Sequence, residues 1–208
     1  MPFEFFKKIL SKPETPKKEE PKEPNFEIYF GKQIQPEEQK KLLKEIKSNP
    51  EQFKVAEYGG VGLLRASVEN LPDGRKEHYF IEAGAQDSGE EQIAGYRSVE
   101  FYPKEKRIVL EAIEIFAGSQ MKEISTGNFR GQKIGERSVI ALVKLFNELG
   151  MNGWEVLTTA TNRGFAEKVF QKVFEAVEES GGWDIFRGKV RTLEEAEKAL
   201  NIKKEKSG

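Results

Sequence analysis

The chain has 208 residues, in which 34 Lys and Arg nearly balance 35 Asp and Glu, so no global field would draw it to nucleic acid or to a membrane surface. It has no cysteine and one histidine, His78, which excludes a disulfide framework, a thiolate metal site, a cysteine nucleophile and a His-based zinc site. No apolar stretch approaches the ~20 residues of a membrane span, so we expect a soluble cytoplasmic protein without a metal.

The two ends of the chain are predicted to lie outside the folded domain. Residues 1–10 are rich in Phe, Ile and Leu, and at helical spacing they give an apolar patch that suits a docking peptide, a membrane-touching anchor or a frayed terminus. Residues 11–24 are almost entirely Pro, Lys and Glu, which predicts an extended linker. A single domain is expected over 25–202, followed by a charged tail at 203–208. The abundance of Lys and Glu without Cys is also typical of heat-adapted proteins.

The first part of the domain is predicted to contain a strand, a helix and a second strand. Residues 26–34 alternate in polarity as a strand does, and residues 36–48 follow with a helical period that ends at Asn49 and Pro50. The glycine-rich stretch 58–62 precedes a strand at 63–68. Because no helix follows this stretch, a turn or bulge explains it better than a phosphate-binding loop.

The middle of the chain is predicted to form an antiparallel meander. Three strand signals, at 78–83, 93–102 and 107–116, are separated by short polar segments that are typical of turns. The third strand is apolar on both faces apart from Glu111 and Glu114, which favours a central position in the sheet.

From residue 131 onward the hydrophobic period becomes helical. A helix runs to Leu149 and ends at Gly150, a strand covers 154–159, and Asn162 is placed to cap a further helix. The apolar face of that helix is formed by Ala166, Val169, Phe170, Val173 and Val177. A last strand is predicted at 183–190, and a capping box at 192–195 opens a short terminal helix. The alternation predicts an α/β fold with a mixed sheet.

One segment carries a chemical signal. A glycine-bearing turn feeds the N-terminus of the helix after residue 131, and such a turn presents unpaired backbone N–H groups and the positive end of the helix dipole, which suits a pyrophosphate. The candidate cofactor-binding residues are Arg130, Gly131, Gln132, Lys133, Ile134, Gly135 and Glu136.

This segment resembles the cofactor signature of the GNAT superfamily of acetyl-CoA-dependent N-acetyltransferases. That signature is a Gln or Arg, two residues, Gly, one residue and then Gly or Ala, and residues 130–135 are similar to it. The resemblance extends over about 26–178. Residues 79–82 and 93–96 look like the family's second and third strands, and Asn162 is similar to the residue that leads its fourth helix.

The resemblance implies a GNAT-like fold, with antiparallel N-terminal strands and helices on both faces of the sheet. It also implies transfer of an acetyl group from acetyl-CoA to a small-molecule or peptide amine, by direct attack in a ternary complex. Pantetheine would lie where the strand before the cofactor turn splays from the strand after it, near Asn162. Glu111 or Glu114 is the candidate base and Tyr96 a candidate acid, although a strand acid is more often paired with a nearby Lys or Arg.

Three departures from the family pattern favour a different function. Lys133 stands at the first motif glycine, Phe170 stands where many relatives have a tyrosine that protonates the thiolate, and 117–128 is an apparent insertion. The alternative prediction is a catalytically inactive GNAT-like binding or structural module, which would be recruited by a partner that docks on residues 2–10.

Overall fold

The computed structural model describes residues 44–46, 48–86, 89, 91–115, 132–159, 163–178 and 185–201. Several predicted features lie outside the described residues: the N-terminal peptide, the linker, the strand at 26–34, the insertion at 117–128, Arg130, Gly131, Asn162 and the tail.

The described residues form one mixed sheet of eight strands. The strands are β1 Lys54–Tyr58, β2 Val61–Leu71, β3 Gly74–Gly84, β4 Glu91–Tyr102, β5 Arg107–Ile115, β6 Glu155–Thr159, β7 Val177–Glu178 and β8 Ile185–Lys189. Their order across the sheet is β1-β2-β3-β4-β5-β6-β8-β7. All neighbouring pairs are antiparallel except β5 and β6, which are parallel. The predicted meander is β3, β4 and β5.

The helices lie before β1, between later strands and after β8. They are α1 Pro50–Phe53, α2 Ile134–Glu148, α3 Arg163–Phe165, a π-helical turn Ala166–Phe170, α4 Gln171–Phe174 and α5 Leu193–Ala199. The segments from α3 to α4 follow one another without a break, and α2 joins the parallel strands β5 and β6. In the described part of the chain, no helix is both long enough and apolar enough to cross a membrane.

Each face of the sheet carries its own hydrophobic core. Adjacent residues of a strand point to opposite faces, so Leu63 belongs to the larger core and Leu64 to the smaller one. The larger core is completed by α2 and by the helical segment from α3 to α4, and in it the rings of Phe101 and Phe146 meet edge to face at 6.0 Å. The smaller core contains Ile46 of the N-terminal helical residues. The predicted α/β fold with helices on both faces is therefore confirmed.

The glycine-rich stretch is a hairpin turn. Gly59 and Gly60 have φ angles of 57° and 73°, and they join β1 to β2 so that Tyr58 lies opposite Val61. Two consecutive residues with positive φ match the twist of a two-residue hairpin, which is why glycine occupies both positions. The turn interpretation is confirmed, whereas strand β1 was not predicted.

The prediction for Val177 was wrong. The helix that was expected to include it ends at Phe174, where Glu175 adopts the left-handed conformation with a φ of 51° and terminates the helical path. Val177 instead begins β7, and its side chain is 66% exposed. The capping box at the start of α5 is confirmed, since the Thr192 hydroxyl accepts from the Glu195 backbone N–H and the Glu195 carboxylate accepts from the Thr192 N–H.

Candidate functional site

The described pairing of the two parallel strands, β5 and β6, stops near their carboxyl ends. Pairing between β5 and β6 runs from Arg107 opposite Glu155 to Leu110 opposite Thr158. Beyond that point β5 continues to Ile115 alongside β4, while Thr159 of β6 pairs with β8. The described pairing of the two strands therefore ends near their carboxyl ends, and this is the edge where ligands commonly bind in sheets of this kind.

Helix α2 begins at the same edge with its first turn uncapped. Lys133 precedes the helix in the left-handed conformation, with φ 55° and ψ 30°, and no side-chain hydrogen bond caps the turn within the described residues. The Arg137 N–H donates to the Lys133 carbonyl at 2.9 Å, which leaves the N–H groups of residues 134–136 without intrahelical acceptors. Those donors and the positive end of the helix dipole suit an anion.

The backbone at Lys133 is left-handed, a conformation that glycine occupies more readily than lysine does. Glycine adopts positive φ without a steric cost, whereas a residue with a Cβ pays about 1 kcal/mol or more. The Lys133 side chain is 67% exposed, and its Nζ lies 3.8 Å from the Glu136 carboxylate. The backbone of Lys133 is therefore not helical, and its side chain points to solvent.

Gly135 is required by the packing of the next helix. A Cβ on Gly135 would lie 2.8 Å from Cε2 of Phe165, which is closer than such atoms approach. Phe165 in turn meets the ring of Phe170 edge to face at 5.5 Å. The sequence analysis explained a small residue here by the close approach of a diphosphate. In the structure, Gly135 also allows α3 to pack on the first turn of α2.

A second contact fixes the first turn of α2 from the other side. The Arg137 guanidinium donates to the carbonyl of Gly59 at 2.7 Å, so the turn between β1 and β2 is tied to the start of the helix. The first turn of α2, with its uncapped N–H groups, is therefore fixed in position from two sides, by the β1–β2 hairpin and by Phe165.

Glu111 is part of an ion-pair network on the side of the sheet away from α2. Its carboxylate pairs with the Lys76 ammonium and accepts from the Ser98 hydroxyl at 3.1 Å, and Lys76 also lies 3.4 Å from Glu100. Burial raises the pKa of Glu111, but the hydrogen bond and charge of Lys76 outweigh it and hold the pKa below its ordinary value. A carboxylate with a lowered pKa is a poorer proton acceptor, so the environment of Glu111 is that of a paired strand acid.

The other predicted catalytic positions lie further toward the open edge. The backbone of Glu114 pairs with Tyr96 beyond the end of the β5–β6 register, and Tyr96 is half-buried against the smaller core. The structure thus brings the backbone of Glu114, Tyr96 and the described part of the cofactor segment to one edge of the sheet.

Sequence reasoning missed Glu82 as a candidate site residue. It is buried on β3 opposite Gly62, and its carboxylate lies 3.4 Å from the Lys54 ammonium. Burial and the negative charge of Glu91 raise its pKa, with Lys54 acting in the opposite direction. The available signal was an acid that directly follows the apolar run Tyr79, Phe80 and Ile81.

Comparison with solved structures gives distant matches. GCN5 of Tetrahymena is 12% identical, with 56% of this chain and 69% of that chain covered at a TM-score of 0.36. The PaiA N-acetyltransferase of Thermoplasma acidophilum, in complex with coenzyme A, is 14% identical, with 72% and 70% covered at a TM-score of 0.38. Nourseothricin acetyltransferase is 14% identical, with 69% and 94% covered at a TM-score of 0.35. No family model and no curated protein matches this chain.

The architecture itself matches the one that the sequence resemblance implied. The antiparallel meander, the parallel pair β5 and β6 and the helix that joins this pair occur in the expected order. The fold is GNAT-like.

Phe170, where the resemblance led us to look for a tyrosine, lies in the core. It is 2% exposed, and its ring stacks on Phe174 at 6.2 Å. This side chain has no hydroxyl to donate. Among the described residues there is no group of three or more His, Asp or Glu side chains arranged to hold a metal ion.

We expect His78 to make folding stability depend on pH. Burial, followed by the charge of Lys76, lowers the pKa of His78 below its ordinary value of 6.5. Below pH 6.5 the unfolded state therefore binds a proton that the folded state resists, and the stability falls as the pH decreases. The slope from one such group is at most about 1.4 kcal/mol per pH unit.

Urea unfolding between about pH 7.5 and pH 5.5 measures this effect. Because His78 is the single histidine of the chain, His78→Asn should flatten the curve in that range. A variant that kept the wild-type slope would contradict the assignment.

Proposed function

We propose that this protein is an acetyl-CoA-dependent N-acetyltransferase that acts on a small-molecule or peptide amine. The observation that carries the proposal is the coincidence, at one edge of the sheet, of the end of the β5–β6 pairing with the uncapped first turn of α2. The diphosphate of the cofactor would accept from the N–H groups of residues 134–136, and the pantetheine arm would lie between β5 and β6 beyond their last pair.

The proposed reaction is a direct transfer within a ternary complex. The amine attacks the thioester carbonyl, a backbone N–H holds the oxyanion, and the C–S bond breaks to release the CoA thiolate. A base removes the proton from the attacking nitrogen, and the thiolate takes a proton from Tyr96 or from solvent.

Glu114 is the proposed base, directly or through a water molecule. Its position on β5 lies beyond the last pair with β6, where the thioester would sit. Glu111 lies three residues earlier and is already paired with Lys76, which lowers its pKa and makes it the weaker candidate. Glu82, with its raised pKa, lies near the same edge and is a candidate for contacting the acceptor amine.

Thermal unfolding with acetyl-CoA tests whether the cofactor binds. At a concentration of about 100 times Kd, a ligand of the native state adds about 2.7 kcal/mol of stability, which corresponds to a rise in Tm of roughly 5 °C or more for a chain of this size. Adenosine, which lacks the diphosphate and the pantetheine arm, is the control ligand. An unchanged Tm at saturating acetyl-CoA would exclude the proposed activity.

Release of the CoA thiol in the presence of a panel of amines tests turnover. The proposal expects thiol release that depends on both the amine and the protein. Binding of acetyl-CoA without turnover on any amine of the panel would favour the non-catalytic module.

A further inference from the structure

A fully buried arginine lies beneath the N-terminal part of α2, in contact with Ser138. Arg97 is on β4, on the face of the sheet that α2 covers, and its exposed fraction is 0%. Its Nη2 donates to the Ser138 hydroxyl at 3.3 Å, and that hydroxyl donates to the Gly135 carbonyl at 2.9 Å. Its Nε and Nη1 are buried without a hydrogen-bond partner in the described part of the chain.

This arginine differs from the other buried or half-buried cations of the sheet. Arg75 and Lys76 each pair with a carboxylate on their own face, whereas no described carboxylate forms an ion pair with Arg97. Burial lowers the pKa of Arg97 to about 9, so the side chain still carries its charge at neutral pH. An uncompensated buried charge costs several kcal/mol, and donors left unpaired add to this cost.

The location of the unpaired donors identifies what could compensate the charge. Arg97 pairs in the sheet with Ile113, beyond the point where the register of β5 and β6 ends at Leu110. Its guanidinium is linked to the first turn of α2 through the Ser138 hydroxyl, which donates to the Gly135 carbonyl, and the N–H groups of that turn are uncapped. Two independent sources of positive potential therefore lie near the end of the β5–β6 pairing, and a bound anion would compensate both.

We propose that Arg97 and the first turn of α2 form one anion-binding site, in which the guanidinium binds an oxyanion of the acyl-CoA molecule. The inference rests on the proposed function and adds to it a residue that determines affinity. The phosphate groups of CoA, the diphosphate among them, and a terminal carboxylate on the acyl chain have the required chemistry. The guanidinium fork can contact two oxygens of either group.

The test compares Arg97→Met with Lys144→Met, which removes one positive charge from the same helix more than two turns from its start. Tm is measured without ligand and with inorganic pyrophosphate, acetyl-CoA, S-acetylpantetheine and succinyl-CoA. We expect Arg97→Met to raise the Tm of the ligand-free protein by a few degrees, because an uncompensated buried charge is replaced by an apolar side chain of similar size. A purely structural arginine would give a lower Tm.

The ligands distinguish the two sources of the anion. If the diphosphate is bound, Arg97→Met weakens binding of pyrophosphate and acetyl-CoA roughly tenfold or more and leaves S-acetylpantetheine unchanged. If an acyl carboxylate is bound, the wild type prefers succinyl-CoA to acetyl-CoA and the variant loses this preference. Lys144→Met should change none of these affinities by more than about twofold.

Different outcomes of these binding measurements would contradict this inference and the proposed function. A wild type that binds acetyl-CoA, with an Arg97→Met variant that binds every ligand equally well, overturns the inference alone. Binding of pyrophosphate that depends on Arg97, without binding of acetyl-CoA, supports the anion site and overturns the transferase. A wild type that binds none of the ligands overturns both. If Arg97→Met does not fold, Arg97→Gln keeps a donor for Ser138 without the charge, and unchanged affinities in that variant overturn the inference.

Discussion

Replacing Gly135 with aspartate is expected to abolish binding of acetyl-CoA. The new carboxylate would stand in the first turn of α2, beside the N–H groups that the diphosphate is proposed to occupy, and it would repel the phosphates while competing for their donors. Its Cβ would also press on the ring of Phe165, because the built position lies 2.8 Å from that ring. The expected loss of affinity is at least about a hundredfold, or roughly 2.7 kcal/mol.

Gly135→Ala is the matched control for this prediction. It introduces the same Cβ and therefore the same contact with Phe165, but no charge. We expect it to lower stability by about 1–3 kcal/mol through overpacking and to retain binding within about tenfold. Isothermal titration with acetyl-CoA, together with urea unfolding of both variants, separates the two effects. Equal binding by the aspartate variant and the wild type would place the cofactor elsewhere on the protein.

The local features of this fold could be predicted because they depend on neighbouring residues. Alternating apolar residues and short turns gave β3, β4 and β5, and the helical period after residue 131 gave α2. The capping box at Thr192 was found for the same reason, since its two hydrogen bonds join residues three positions apart. Each of these patterns is complete within one segment of the chain.

The features that the sequence did not predict depend on contacts between distant segments. Lys76 and Glu111 are 35 positions apart, and the ion pair between them exists because β3 and β5 both lie against β4 in one register. In the sequence, Arg97 looks like an ordinary polar position of a strand. Its burial results from α2 crossing over β4, which no local pattern records. The hairpin strand β1 was missed because it has five residues with weak alternation.

The two acids of β5 are expected to respond very differently to the same substitution. Glu114→Gln should lower kcat by roughly two to four orders of magnitude, which is the usual contribution of a general base. Because the amide cannot accept the proton of the attacking amine, the remaining activity should rise with pH as more of the free amine becomes deprotonated. Binding of acetyl-CoA should be unchanged, so the defect appears in kcat and not in the cofactor affinity.

Glu111→Gln provides a control in the same strand. Here the amide loses the ion pair with Lys76, so stability should fall by about 1 kcal/mol, while kcat stays within roughly twofold of the wild type. Steady-state kinetics with a responsive amine and urea unfolding of both variants measure the contrast. If Glu111→Gln removed the activity and Glu114→Gln did not, the base would be Glu111, and its pairing with Lys76 would have to break when the acceptor binds.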